Sequence, residues 1–197
     1  MTITDIVIAV AVILFLGVYV SWRAGRLDRM HTRLEAARAA LDVTLVRRSS
    51  VVLELAASGF LDPATSVLLA DAAHEARGGQ DTDLGDRELA RIELTQSNLS
   101  RALRAAFAQP GFQDSLDEVD GAADLLAELE AAAHQVLVAR KFYNTAVAVT
   151  RDARRKPLVR LLRLAGHAPL PEFFEMDDSL AVADDDGAGA DMQRLAG

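Results

Sequence analysis

Apolar residues occupy every helical face between Ile6 and Trp22, in the uncharged run IVIAVAVILFLGVYVSW. As a helix this run reaches roughly 25 Å. Adding Ile3 to Asp5 brings it close to the ~30 Å hydrocarbon thickness of a bilayer. Tyr19 and Trp22 stand at its C-terminal end, where amphipathic rings favour the headgroup level. The pattern predicts a transmembrane helix. A secretory signal peptide would need a basic segment before the run and a small-residue cleavage site after it, and neither is present. Only Asp5 and the amino terminus precede the run, whereas Arg23, Arg26, Arg29, Arg33 and Arg38 follow it. That asymmetry predicts a single-pass plasma-membrane topology, N-terminus outside and the remainder cytoplasmic.

Beyond Trp22 the apolar positions step by three and four, the period of helices that bury one face. Leu27, Met30, Leu34, Ala37, Leu41, Thr44, Arg48, Val51 and Leu55 make one seam, with the spacing of a coiled-coil heptad. The first helix is therefore expected to run from the bilayer to Ser58-Gly59, where glycine permits a left-handed cap. Asp62-Pro63 restarts the chain as an N-cap followed by proline at the first helical position, and this second helix runs to about Arg77. A polar loop, Gly78 to Asp83, precedes a third helix from near Asp86 to Pro110-Gly111, with a seam of Leu89, Ile92, Gln96, Leu99, Leu103 and Ala106. Ser115-Leu116-Asp117-Glu118 has capping-box spacing. It introduces the most regular seam, Val119, Ala122, Leu126, Leu129, Ala133, Val136, Arg140, Tyr143, Val147 and Thr150, broken at Pro157. A short apolar turn, Leu158 to Leu164, ends at Gly166.

The expected fold is all-α: an N-terminal transmembrane helix continuing into an antiparallel bundle of long helices. Lengths suit three matched rods, with a four-helix arrangement as the alternative. The expected organisation is an anchor over 1–22, a cytoplasmic bundle over 23–166, and an acidic tail over 167–197 that contains Pro and Phe. From about Met176 the tail is rich in Asp, Gly and Ala, a composition that does not support a packed core.

Charge sharpens this division. The net charge is −8, but from Glu172 onward eight acids face only Arg194, so the body is nearly neutral. Cysteine is absent, which removes disulfides, thiolate metal sites and a cysteine nucleophile. His31, His74, His134 and His167 are scattered, and His74-Glu75 lacks a second histidine at helical spacing. Asp184-Asp185-Asp186-Gly187 lacks the alternating ligands and terminal Glu of a calcium loop. No phosphate-binding glycine loop, nucleophile elbow or plausible catalytic carboxylate pair occurs. We expect no enzyme, no metal and no cofactor.

Three groups of residues invite a binding role. Arg48 and Arg140 fall on apolar seams, where a guanidinium needs a carboxylate or several carbonyls. Glu54, Glu88, Glu93 and Glu130 are candidate partners. The plain reading is an inter-helix pair that fixes register; the functional one is recognition of an acidic peptide or headgroup. Tyr143 and Asn144 adjoin Arg140, either as core with an outward hydroxyl or as a polar groove. Arg151, Arg154, Arg155, Lys156, Arg160 and Arg163 form a basic cluster around Asp152. It can be a solvated helix end, or a site for anionic lipid or the protein's own acidic tail. Nucleic acid is not expected, because no stacking aromatics interleave.

Ala139-Arg140-Lys141-Phe142-Tyr143-Asn144, followed by Val147, resembles the A-R-x-x-Y-N-x-x-V signature of the LemA family. Asp42-Val43-Thr44-Leu45-Val46-Arg47-Arg48 looks like its D-x-x-L-x-R-R stretch. Pro169-Leu170-Pro171-Glu172-Phe173-Phe174-Glu175 is similar to its closing K-P-x-x-F-F-E. The motifs occur in the family order, from the anchor to Glu175. A second Y-N is replaced by Thr150-Arg151, the usual F-P by Lys156-Pro157, and a family acid by Ala133, so the resemblance is to a divergent member. It marks Arg48, Arg140, Tyr143, Asn144, Phe173, Phe174 and Glu175 as motif residues. It implies a single-pass membrane protein with an N-out anchor and an antiparallel helical cytoplasmic domain, and does not imply an enzyme. The expected role is an interaction or scaffold protein on the inner face of the membrane, with self-association through the seams as one mode. The alternative is a regulatory adaptor for a membrane protease or envelope-maintenance complex, with Glu172 to Gly197 as a tethered recognition segment.

Overall fold

The computed structural model describes residues 3–78, 86–110, 112, 116, 119–156 and 170–177, and every regular element among them is α-helical. The helices are α1 (Ile3–Ala57), α2 (Pro63–Gly78), α3 (Asp86–Phe107) and α4 (Ala122–Arg155). The loop over 79–85, the turn Leu158 to Leu164 with Pro157 and Gly166, and the tail beyond Asp177 lie outside the described residues.

Local chemistry sets the helix ends. After α1, Gly59 adopts φ +78°, a left-handed conformation that a Cβ would penalise. The Ser58 hydroxyl donates to the Leu55 carbonyl at 2.8 Å and accepts the Phe60 N–H at 3.2 Å. At the start of α2, Asp62 Oδ1 accepts the N–H groups of Ala64 at 2.9 Å and Thr65 at 3.1 Å, two of the donors every helix start leaves without intrahelical partners.

The fourth helix departs from the sequence reading. Regular helix begins at Ala122, because Gly121 sits at φ +87° and no helical turn can pass through that conformation. Ser115, Asp117 and Glu118, which suggested an earlier cap, lie outside the described residues. At its far end α4 stops before Lys156, whose α conformation Pro157 disfavours.

The Thr65 hydroxyl and then the Thr65 N–H hold the Asp62 carboxyl below its ordinary value of 3.8. A carboxyl depressed on folding contributes stability that is present above its unfolded value and is lost as pH falls through the folded one. Asp62→Ala should therefore lower Tm near pH 7, and its deficit against the native chain should shrink progressively below about pH 4. Thermal melts at both pH values check this; an unchanging deficit would mean the charge plays no part in the cap.

Packing separates the chain into two compact units, one of Met1–Arg38 with Tyr143–Phe173 and one of Ala39–Phe142 with Phe174–Gly197. These divisions cut through α1 and α4.

In the first unit, Ile6, Val7, Ile8, Val10, Val12, Ile13, Leu14, Phe15, Val18 and Trp22 are exposed round α1, Phe15 at 75% and Trp22 at 57%, while Tyr19 is half-buried. Among the described residues, no helix is long and apolar enough to cross a membrane. The α4 part of this unit buries Tyr143, Val147 and Thr150, positions of the expected seam, and also Ala153.

In the second unit, all four helices feed one core: Val51, Val52 and Leu55 from α1, Leu69 and Ala73 from α2, Leu99 and Leu103 from α3, Leu129 and Ala132 from α4. Each fully buried leucine contributes roughly 1.5–3 kcal/mol. Phe112 closes the core with its ring edge-on to Phe107 at 5.1 Å. Gln109 Nε2 donates to Thr65 Oγ1 at 3.2 Å and Gln96 Nε2 to the Ala76 carbonyl at 3.3 Å, so α2 and α3 run antiparallel. Arg47 pairs with Glu128 at 3.3 Å, while Ala57 and Ser58 share a cleft with Gly121 and Asp124, so this part of α1 is antiparallel to α4. Four helical segments, not three rods, make this core.

Candidate functional site

Arg48 lies on the buried side of α1 and is 4% exposed. Its Nη2 donates to Gln96 Oε1 at 2.6 Å and to the Gln96 carbonyl at 3.1 Å, and its Nη1 donates to Ser100 Oγ at 3.2 Å. Because Gln96 also donates to the Ala76 carbonyl, one polar cluster ties α1, α3 and α2 together. Gln96 and Ser100 are themselves buried. The cluster is buried and links the three helices by hydrogen bonds.

Arg140 does something different. Half-buried on α4, it donates from Nη1 to the Met176 carbonyl at 3.1 Å. Three residues of α3 meet the same short segment. Glu93 Oε1 accepts the Glu175 N–H at 2.7 Å, Ser97 Oγ accepts the Asp177 N–H at 3.2 Å, and Arg104 pairs with the Asp177 carboxylate. Ser97 and Arg104 stand one heptad apart and Glu93 one turn before Ser97, so all three share a face of α3. Phe174 is 1% exposed and Met176 9%, while Glu175 is exposed. Phe174–Asp177 is thus an extended segment bound by three main-chain groups, two buried side chains and one carboxylate. The Arg104–Asp177 pair is about 40% exposed on both sides, so solvent screens it and its share of the binding is small.

In the first unit, the buried Tyr143 donates its hydroxyl to the Glu172 carbonyl at 3.0 Å. Arg151 places its guanidinium 5.2 Å from the centre of the Phe173 ring, within cation–π range. Asn144 is half-buried. Of the basic cluster, Arg155 and Lys156 are exposed and Arg154 half-buried, and Lys156 approaches Asp152 at 3.8 Å. Arg160 and Arg163 lie outside the described residues.

No family model, curated protein or solved structure matches this chain. Its chemistry must be read from its own residues. Among the described residues no group of His, Cys, Asp or Glu is placed to hold a metal ion. The acids Glu54, Asp124 and Glu128 line an open cleft with Phe60 and Leu125, and Arg47 already engages Glu128. What the arrangement does chemically is hold an extended acidic and aromatic segment on a helical face.

Sequence reasoning singled out Arg140, Phe174 and Glu175, which lie in the second unit, and Tyr143 and Phe173, which lie in the first and meet Glu172 and Arg151 there. It named Glu93 only as a partner for a buried arginine, whereas its carboxylate accepts a main-chain N–H. It missed Ser97, Arg104 and Asp177. The available signal was the Phe173-Phe174 pair with Met176, too apolar for a segment that only solvates.

Proposed function

We propose that this chain is a divergent LemA-type membrane protein, anchored by Ile6–Trp22 with its N-terminus outside and its helical bundle in the cytoplasm. It acts by binding proteins and not by catalysis. One observation carries the reading: apolar side chains face outward all round the first turns of α1, a surface far larger than an ordinary water-facing helix leaves bare. The arginines that follow the run supply the orientation. The motif residues support the family reading, since Arg140 and Tyr143 each hold a carbonyl of the Pro/Phe segment. Partners are the bilayer and a membrane or cytoplasmic protein. In the second unit Leu41, Val51 and Leu55 are buried within the chain, so self-association there would use other surfaces.

The absence of cysteine makes a clean test. A single cysteine is introduced after Met1 or near Gly197, and intact cells are treated with a membrane-impermeant maleimide. The N-terminal position should label, and the C-terminal one should label only after permeabilisation. Labelling of the C-terminus in intact cells, or recovery of the chain in the soluble fraction, would defeat the reading.

The adaptor for a membrane protease is the second reading, with Glu172 to Gly197 as the recognition segment. It is favoured by the exposed side chains of Glu172 and Glu175 beside buried Phe174, which leave charge available on a docked segment.

A further inference from the structure

Four consecutive residues of the second unit are held in a way that reads as recognition of a peptide. Phe174 and Met176 are buried, the Glu175 and Asp177 N–H groups are accepted by Glu93 and Ser97, the Met176 carbonyl is held by Arg140, and the Asp177 carboxylate is held by Arg104. Three of these contacts are to main chain and would be offered by any extended peptide. The side-chain requirements are an aromatic residue, an apolar residue two positions later and an acid directly after it. The Glu175 side chain is exposed, so that position is not read.

We infer that this face of α3 and α4 is a peptide-binding groove for an extended aromatic–x–apolar–acid segment of a partner protein, and that Phe174–Asp177 occupies it in cis as a competing ligand. The segment shows what fits. Main-chain contacts give affinity independent of sequence, and the pockets for alternate side chains give selectivity, as in other extended-peptide modes. The charge balance agrees, with two arginines meeting the acidic segment and one glutamate spent on an N–H. Because the segment belongs to the same chain, its docking is an intramolecular event. A partner peptide therefore competes against a tethered occupant, and its apparent affinity falls by the fraction of open groove. This deepens the interaction reading by naming a surface, and it is independent of the membrane anchor.

The test uses the full chain in detergent and a fluorescent synthetic peptide spanning Leu170–Asp177. Phe174→Ala combined with Asp177→Ala weakens the cis segment. This form should bind the peptide at least about tenfold more tightly than the native chain. Adding Arg140→Ala and Arg104→Ala should remove that gain, and a scrambled peptide should not compete. A second form carries a protease cleavage sequence between Arg163 and His167; after cutting, the C-terminal piece should remain with the bundle and be displaced by excess peptide. Absence of peptide binding by both forms with helical circular dichroism intact would overturn the groove. Loss of helicity in both would overturn it equally, since the segment would then be a fixed part of the fold. Neither result bears on the cysteine labelling, so the two readings fail separately.

Discussion

Arg48→Met should cost about 2–4 kcal/mol of folding stability, read by urea titration of helical circular dichroism. The native guanidinium supplies three hydrogen bonds within a buried site. Methionine fills much of the volume and supplies none, so Gln96 Oε1 is left in the core without its charged donor. Ser100 retains its own bond to the Gln96 carbonyl at 3.2 Å, which keeps the cost below that of an orphaned ion. Arg48→Lys should fall between the two, because an ammonium lacks the planar fork that reaches Gln96 and Ser100 together. The informative comparison is Arg48→Met with Gln96→Leu. Replacing both members by apolar groups removes the unmet polar atoms on each side, and stability should return to within about 1–2 kcal/mol of the native chain. The residual deficit belongs to the Ala76 carbonyl, which loses Gln96 Nε2. A single Arg48→Met chain as stable as the native one would show that the cluster is decoration; a double variant no better than the single would show that the two residues act independently.

That cluster also shows where the sequence was legible. Arg48 and Gln96 break the seams of α1 and α3, and a polar residue recurring at a buried helical position announces a partner even when the partner's identity is hidden. The chain punctuation at Ser58-Gly59 and Asp62-Pro63 was equally readable, because each depends on a few adjacent residues and their backbone preferences. Gly121 was harder. A glycine inside an otherwise regular seam tolerates both helix and left-handed backbone, and the capping pattern just before it argued for helix. The docked segment was hardest, since Glu175, Met176 and Asp177 are held by Glu93, Ser97, Arg104 and Arg140, which no local pattern connects to them. Acidic composition beyond Glu172 argued for solvation, whereas Phe174 and Met176 together bring enough apolar surface to dock. Helices follow from periodicity along the chain; the candidate site follows from contacts across it.

The second large effect concerns the apolar run itself. On the proposed membrane anchor, Ile13→Arg combined with Phe15→Arg should move the chain from the carbonate-resistant membrane pellet to the supernatant or to a degraded fraction. Both side chains are exposed in α1 and lie near the middle of the uncharged run. An arginine at the centre of a spanning helix costs about 2.5–3.5 kcal/mol on insertion scales, so the pair costs roughly 5–7 kcal/mol. The flanking apolar residues each return only about 0.3–0.6 kcal/mol, and a segment this short lacks the surplus to absorb two charges. Arginines placed instead at Ser21 and Trp22 should leave fractionation unchanged, because side chains at the boundary snorkel to water. The contrast separates a bilayer from a protein partner as the cover for this surface. A docking interface would be sensitive to Trp22, whose indole is exposed on the same face as Ile8 and Phe15, whereas a bilayer reads only depth. Retention of the Ile13→Arg and Phe15→Arg chain in the pellet, with the boundary pair released, would assign the run to a protein interface.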